Sequence, residues 1–151
     1  MFDNEITRIK NEYDINDIEV IPLKLTIDKS CCIECCGKCI IGIDTERIDS
    51  VAELRSLLLH EAGHCRENAF YCNDDTKQVK RHAEYLAIRW AIRSAIPFDK
   101  YIDAIRDGVR DIYQLAEYFD ITVESATKTV DYYNSKLIEY INISQKRGHA
   151  V

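Results

Sequence analysis

The residues with the clearest capacity for chemistry form the sequence HEAGH at positions 60–64. Residues i and i+4 lie on one face of an α-helix, so His60 and His64 can direct both imidazoles at one zinc ion. Glu61 lies about 100° round the helix, where its carboxylate can reach a water molecule rather than the ion. The spacing therefore predicts a hydrolytic zinc site with Glu61 as general base, and a pair of solvent-exposed histidines is the alternative.

A catalytic zinc site needs a third protein ligand and an open fourth position. We consider six candidates that follow the first histidine of the motif: Cys65, Cys72, Asp74, Asp75, His82 and Glu84. Glu84 is the only charged member of a helical stripe that otherwise contains Ala87, Ile88, Ala91 and Ala95. A carboxylate in an apolar contact stripe is costly unless a cation compensates it, whereas His82 shares its side with Arg89 and Arg93. We therefore expect Glu84 to be the ligand, and an ordinary ion pair or a half-exposed position is its alternative role.

The elements that must position these residues begin with a small sheet. Apolar residues recur at spacings of three and four over residues 2–13, which predicts an amphipathic helix at the N-terminus. Alternating apolar and polar residues over 21–27 predict a half-buried strand. A turn at Gly37 and Lys38 then leads into a second predicted strand over residues 39–43.

The remaining chain has the periodicity of helices. Ser50 and Glu53 have capping-box spacing, so the helix that carries the motif should begin there and run to about residue 71. A second long helix over residues 77–96 ends before Pro97, which cannot continue the hydrogen-bond ladder. Helical spacing recurs in three later segments, at residues 99–107, 111–119 and 122–141.

Length, composition and charge limit the class of protein. A chain of 151 residues with 46% apolar residues can build one domain with a real core. Its net charge of −6 argues against a general attraction to nucleic acids or anionic membranes. The sequence shows neither an apolar run of membrane-spanning length nor the basic and apolar segments of a secretory signal. We expect an α+β fold, with a small twisted sheet packed on a mainly helical body, in a cytoplasmic protein.

This fold divides into three regions of one domain that spans residues 1–151. Residues 1–20 form an N-terminal helical cover, and residues 21–97 form the small sheet and the metal-binding helix pair. Residues 98–151 form the C-terminal helices.

Seven cysteines stand out in a protein expected to be cytoplasmic. Five lie close together and two are isolated: Cys31, Cys32, Cys35, Cys36 and Cys39, then Cys65 and Cys72. Reduced thiols or metal ligands are expected in the cytosol rather than structural disulfides. The close-set cysteines form two CxxC pairs, but adjacent pairs cannot all meet one ion without strain. We expect ordinary thiols there, with a second zinc or disulfides as alternatives, and we expect Cys65 to face the core.

Residues 114–125 superficially resemble a helix-turn-helix. The segment 98–141 contains nine acidic and five basic residues, whereas a DNA-binding element normally presents a basic face. We therefore expect these helices to pack within the domain, without direct contact with nucleic acid.

Two motifs in combination resemble those of a known family. The HEAGH sequence at 60–64 is followed at 84–91 by EYLAIRWA, an ExxA pattern with an aromatic residue and a second alanine, and then by a proline. This combination resembles the ImmA/IrrE family of zinc metallopeptidases and is much more specific than HExxH alone. The resemblance covers roughly residues 20–125, including the strand at 40–43 and the segment 115–119.

The resemblance has implications for the fold, the site and the substrate. It implies a zincin-like domain in which His60, His64 and Glu84 hold one zinc ion and Glu61 is the base. Members of that family cleave helix-turn-helix repressors and thereby switch on prophage, conjugative-element or stress-response genes. The implied partner is therefore a protein substrate, and no membrane is implied.

Two other functions are compatible with the sequence. The first is a non-proteolytic antirepressor or interaction module that contains zinc and cuts nothing. The second is metal storage or sensing by the close-set cysteines, which predicts more than one zinc per chain. Glu61 favours the enzyme, because retention of zinc alone does not need it.

Two further expectations concern how a substrate would be held. The strand at residues 40–43 lies just before the metal-binding helix and could pair with an extended substrate by strand addition. Three tyrosines, Tyr71, Tyr85 and Tyr101, are candidates for stabilising the oxyanion of the reaction.

Overall fold

A computed structural model describes residues 2–148 and has the expected α+β architecture, with a small sheet and a mainly helical body. The helices are α1 (Asp3–Glu12), α2 (Val51–Arg66), α3 (Lys77–Ala95), α4 (Phe98–Arg106), α5 (Ile112–Phe119) and α6 (Val123–Gly148), and a 3₁₀ helix spans Thr45–Arg47. The strands are β1 (Glu19–Pro22), β2 (Ser30–Cys35) and β3 (Lys38–Ile43). Within residues 2–148, no helix is long and apolar enough to cross a bilayer.

The sheet has the order β1-β3-β2, with β1 parallel and β2 antiparallel to the central β3. The predicted strand at 39–43 is confirmed as β3. Strand β2, which contains three of the close-set cysteines, was not predicted. Its hairpin to β3 turns through Cys36 and Gly37, with φ of 55° and 76°. Two consecutive positive φ angles are typical of the tight turns that match the twist of a hairpin, and Gly37 adopts such an angle without steric cost.

The predicted strand over residues 21–27 is wrong beyond Pro22, although the alternation continues to Ile27, which is 82% exposed. Side chains replace the missing strand partner in the segment that follows β1. The amide of Leu25 donates to the Asp44 carboxylate at 3.1 Å. The Arg47 guanidinium donates to the carbonyls of Leu25, Ile27 and Asp28. The segment therefore satisfies its backbone polar groups without joining the sheet.

Two apolar clusters form the core. The first joins α1, the sheet and α2 through fully buried side chains such as Ile9, Ile41 and Leu58. The second joins the end of α3 to α4, α5 and α6. Because α5 and α6 contribute Leu115 and Ala126 to this second cluster, the segment that resembles a helix-turn-helix packs within the domain, as predicted.

Helix α2 begins as the capping residues predict but ends earlier than expected. The Ser50 hydroxyl accepts from the Glu53 amide at 3.1 Å. The helix ends at Arg66 rather than near residue 71, because Asn68 adopts a left-handed φ of 49°. Residues 69–71 consequently form a loop that folds back towards the helix.

One side chain of α2 has an environment that the local sequence pattern does not reveal. Helical spacing places Arg55 on the side of α2 opposite the metal-facing side, where an arginine would ordinarily be exposed to solvent. It is instead 4% exposed, and its guanidinium donates to Asp120 and to Glu12. These partners lie far away in the sequence, so the local pattern could not reveal that the arginine links α1, α2 and the end of α5.

The cysteines also correct an expectation. A disulfide joins Cys39 of β3 to Cys65 of α2, with 5.8 Å between the Cα atoms, so these two residues are not the expected thiols. Folding brings the strand beside the end of the helix, at a separation that suits a disulfide. The five remaining cysteines are free: Cys31, Cys32, Cys35, Cys36 and Cys72.

Helices α2 and α3 approach each other closely at Gly63. A Cβ atom built on Gly63 would lie 2.4 Å from the carbonyl oxygen of Ala87 and 2.9 Å from its Cα. Backbone atoms cannot move aside as a flexible side chain can, so only glycine allows this contact. On the α3 side the contact is made by Ala87, whose small side chain allows the two helices to approach closely.

We predict that Gly63→Ala destabilises the protein by about 1–3 kcal/mol, because the new methyl group forces α2 and α3 apart. Denaturant unfolding followed by circular dichroism measures the effect. Gly148→Ala is the matched control, since a Cβ there meets nothing within 4 Å and alanine is the better helix former. Equal unfolding midpoints for Gly63→Ala and the unsubstituted protein would contradict the close approach.

Candidate metal centre

The last two turns of α2 bring His60 and His64 together. Their Nε2 atoms lie 3.3 Å apart, and the ring planes meet at 83°. The i, i+4 spacing therefore directs both rings to one point, as the motif predicts. His64 is buried, whereas His60 is partly exposed. The point at which the two rings converge therefore lies near the protein surface.

The loop after α2 fixes the ring of His64. Its Nδ1 lies 2.7 Å from the carbonyl oxygen of Ala69. A carbonyl oxygen only accepts, so Nδ1 carries the proton and donates. This arrangement leaves the Nε2 lone pair available, which is the usual way in which an outer partner orients a metal-binding histidine.

Helix α3 supplies the third group of the cluster. The two oxygens of Glu84 lie 3.2 Å from Nε2 of His60 and 3.2 Å from Nε2 of His64. Tyr71 donates its hydroxyl hydrogen to Glu84 Oε1 at 2.8 Å. In the metal-free protein, protons on the Nε2 atoms would let His60 and His64 donate to Glu84, and these hydrogen bonds lower the pKa of its carboxyl well below the usual range. The same carboxylate raises the pKa of Tyr71 to about 12.

The chemistry of this donor set fits a bound cation. The ligand atoms of His60, His64 and Glu84 all lie within 4.8 Å of one another. A carboxylate and two imidazole Nε2 atoms are acceptors, and acceptors at 3.2–3.3 Å repel one another unless a proton or a metal ion lies between them. Two histidines and a carboxylate with one open side match the ligand set of a catalytic zinc.

Glu61 stands beside this cluster without joining it. Its side chain is 7% exposed, and its Oε1 accepts a 2.7 Å hydrogen bond from the hydroxyl of Ser30 on β2. A buried carboxylate needs such donors to offset the loss of its hydration. Glu61 therefore takes the position that the motif predicts, next to the donor cluster rather than within it.

A cleft of about 510 Å³ surrounds these groups, and we call it the metal cleft. Residues 28–32 form one wall, the α2 motif forms the floor, and residues 69–71 form the far side. Cys32 faces Glu61 from β2, and burial and this carboxylate raise the pKa of its thiol. The wall of the cleft thus includes an edge strand of the sheet.

The edge strand differs from the one expected to receive a substrate. The strand at 40–43 lies within β3, which is paired on both sides and has no free edge. Strand addition there is therefore wrong, because β1 and β2 already occupy its backbone hydrogen-bonding groups. In contrast, within residues 2–148 β2 pairs only with β3, and its outer edge is open beside the metal cleft.

The other candidate ligands lie apart from the cluster. His82 is exposed on α3, and Cys65 is joined to Cys39. Cys72 and Asp75 bond to each other through the Cys72 amide, and Asp74 is exposed in the same loop. Among residues 2–148, no cluster other than His60, His64 and Glu84 brings three metal-ligand side chains together.

The structure also separates the three candidate tyrosines. Tyr71 lies in the metal cleft, Tyr85 is an exposed residue that packs under Arg89, and Tyr101 is buried in the second core. Sequence reasoning missed Ser30 and the carbonyl of Ala69. The two-residue turn at Cys36 and Gly37 could have indicated β2, and with it Ser30.

Comparisons of the chain with protein-family models, with curated proteins and with solved structures found no match. The assignment of a function therefore depends on the residues of the site and on the resemblance of its motifs.

We predict that Glu84→Ala lowers zinc affinity by at least about 100-fold, because two imidazoles alone leave the ion with too few protein ligands. His82→Ala is the matched control, two residues away on the same helix but outside the cluster. Zinc titration against a competing chelator measures both. Tight binding by Glu84→Ala together with weak binding by His82→Ala would contradict the assignment.

Zinc content provides a second test of the same site. Mass measurement of the purified protein should find one zinc ion per chain. Serine at both Cys35 and Cys36 should leave that number unchanged, because neither residue belongs to the cluster. A second ion that disappears from the double variant would show that the cysteines bind metal.

Proposed function

We propose that the protein is a cytoplasmic zinc-dependent metallopeptidase with a zincin-like fold, and that it belongs with the regulatory proteases of the ImmA/IrrE type. The observation that carries the proposal is the convergence of His60, His64 and Glu84 beside a buried Glu61. A protein that only retained zinc would not need to bury a second carboxylate next to the ligands. The resemblance of the HExxH and ExxA motifs supports the same assignment.

Each residue then has a distinct role. His60, His64 and Glu84 would hold zinc, which when bound acts as a Lewis acid and activates water for attack on a peptide carbonyl. Glu61 accepts the proton of the attacking water and passes it to the leaving amine. Ser30 restricts the rotamers of Glu61 through its hydrogen bond, so the carboxylate keeps one direction during proton transfer.

The substrate would bind in an extended conformation along β2. The outer edge of this strand is free, and residues 28–32 border the metal cleft. Backbone hydrogen bonds to an edge strand hold a peptide without regard to its sequence, so the peptide can lie across the metal centre. This proposal transfers the strand-addition role from β3 to β2.

The proposed substrate is a helix-turn-helix repressor of a phage, mobile element or stress-response system. This part of the proposal comes from the family resemblance. An antirepressor that binds its partner without cutting it is the competing outcome, and the general base distinguishes the two.

We predict that Glu61→Gln retains the fold and one zinc ion but lowers the rate of peptide cleavage by about 10²–10⁴-fold, because the amide cannot accept the proton. The assay uses a purified helix-turn-helix repressor and a peptide library prepared from a proteome digest. Mass spectrometry then detects newly formed N-termini.

His82→Gln is the control for a polar substitution outside the site. Residual cleavage equal to that of the unsubstituted protein would remove Glu61 from the mechanism. If the unsubstituted protein and Glu61→Gln released the repressor from DNA equally and neither cut it, the protein would be better described as an antirepressor.

We predict that Tyr71→Phe lowers kcat by about 10²–10³-fold while zinc content stays at one per chain, if the Tyr71 hydroxyl donates to the oxyanion. Tyr71 is the only one of the three candidate tyrosines in the metal cleft. Tyr85→Phe is the matched control, since its ring is exposed and contacts Arg89. Equal kcat values for the two variants would show that a group other than the Tyr71 hydroxyl donates to the oxyanion.

A further inference from the structure

A second cavity opens beside the metal centre, on the side away from β2, and we call it the side cavity. It lies between α2, α3 and α6 and has a volume of about 330 Å³. Leu57, His60 and Glu84 line both the side cavity and the metal cleft, so the two spaces adjoin at the ligands. A peptide that lies across the metal centre would therefore pass the mouth of the side cavity.

The volume indicates the size of the occupant. Sites for cofactors and drug-sized ligands measure about 300–1,000 Å³, so the side cavity is at the small end of that range. A single large side chain suits it better than a whole cofactor. The cavity is open towards the metal centre, where the backbone that carries such a side chain would lie.

The side cavity has an apolar part, formed mainly by α3, beside polar residues from α2 and α6. Its walls include Leu57, Ile88, Ala91, Ile92, Ala95 and Ile121. Alanine at two of these positions on α3 leaves the space open, because a larger side chain would fill it.

The hydroxyl groups in the walls already have partners within the protein. The oxygen of Ser56 accepts from the Thr122 amide at 3.1 Å, and the Thr122 hydroxyl donates to Ser125 at 3.0 Å. The Thr129 hydroxyl donates to the Ser125 carbonyl at 2.8 Å. Because these groups are engaged, the walls favour an apolar occupant over a polar one.

The charged groups around the mouth are paired in the same way. Lys128 lies 2.8 Å from Glu124 on α6, and Lys29 lies 2.5 Å from Glu53 on α2. Paired charges offer little net attraction to a charged side chain. The side cavity would therefore discriminate between substrate side chains by their size and apolar character.

We infer that the side cavity is the specificity pocket of the proposed peptidase and that it binds a large apolar side chain, such as leucine or phenylalanine, next to the scissile bond. The inference rests on the proposed function, since it assigns a substrate class to the same site. Ala91 and Ile88 are the specificity-determining residues, because both line the cavity from α3 and the size of their side chains limits its space.

Two variants change the size of the cavity in opposite directions. Ala91→Leu should fill it and lower cleavage of peptides with leucine or phenylalanine next to the cut bond by about tenfold or more, relative to peptides with alanine there. Ile88→Ala should enlarge it and shift the preference towards tryptophan. His82→Leu, on the exposed face of the same helix, is the control and should leave the profile unchanged. The readout is the residue profile around the cut bonds of a proteome-derived peptide library.

A binding measurement on the zinc-free protein separates this inference from the proposed activity. N-acetyl-leucinamide should shift the NMR signals of the Ala91, Ala95 and Ile92 methyl groups, and N-acetyl-glycinamide should not. Ala91→Leu should abolish the response and Ile88→Ala should retain it. If these shifts appear but the protein cleaves no peptide, the proposed peptidase activity is wrong, and the side cavity is still a binding site for an apolar side chain.

Two results would overturn the inference. One is equal shifts with both probes, or shifts that persist in Ala91→Leu while its circular dichroism matches that of the unsubstituted protein. The other is active cleavage with no preference for apolar residues on either side of the cut bond.

Discussion

The contact between Gly63 and Ala87 is the constraint on which the metal centre depends. The histidines belong to α2 and the carboxylate belongs to α3, so the cluster exists only where these helices are close enough for Glu84 to reach both rings. A side chain at position 63 would meet the backbone of α3 rather than a movable group. The glycine inside the HEAGH sequence therefore has a packing role, and the chemistry of its neighbours follows from that packing.

The parts of the site that obey helical periodicity could be predicted from the sequence. The four-residue spacing placed His60 and His64 on one face, and the cost of a carboxylate in an apolar stripe selected Glu84 over His82. Both arguments use only local geometry. The sequence could not reveal Ser30 as the partner of Glu61, because that contact spans 31 residues and depends on where β2 packs.

The fold shows the same division between local and long-range information. Helix boundaries that depend on a capping residue or a proline agree closely with the prediction, as at Ser50 and Pro97. The strand predicted over residues 21–27 ends at Pro22, because Asp44 and Arg47 bind the backbone that a neighbouring strand would otherwise have bound. Arg55 and the Cys39–Cys65 disulfide are further cases in which a distant partner determines the environment of a residue.

On each side of the metal centre, one wall belongs to an element that supplies none of the three ligands. Strand β2 borders one side and α6 borders the other, whereas the ligands come from α2 and α3. Mutations in β2 or α6 can therefore accumulate without displacing a ligand. This arrangement favours evolutionary divergence, because related chains could acquire new partners while the reaction stays the same.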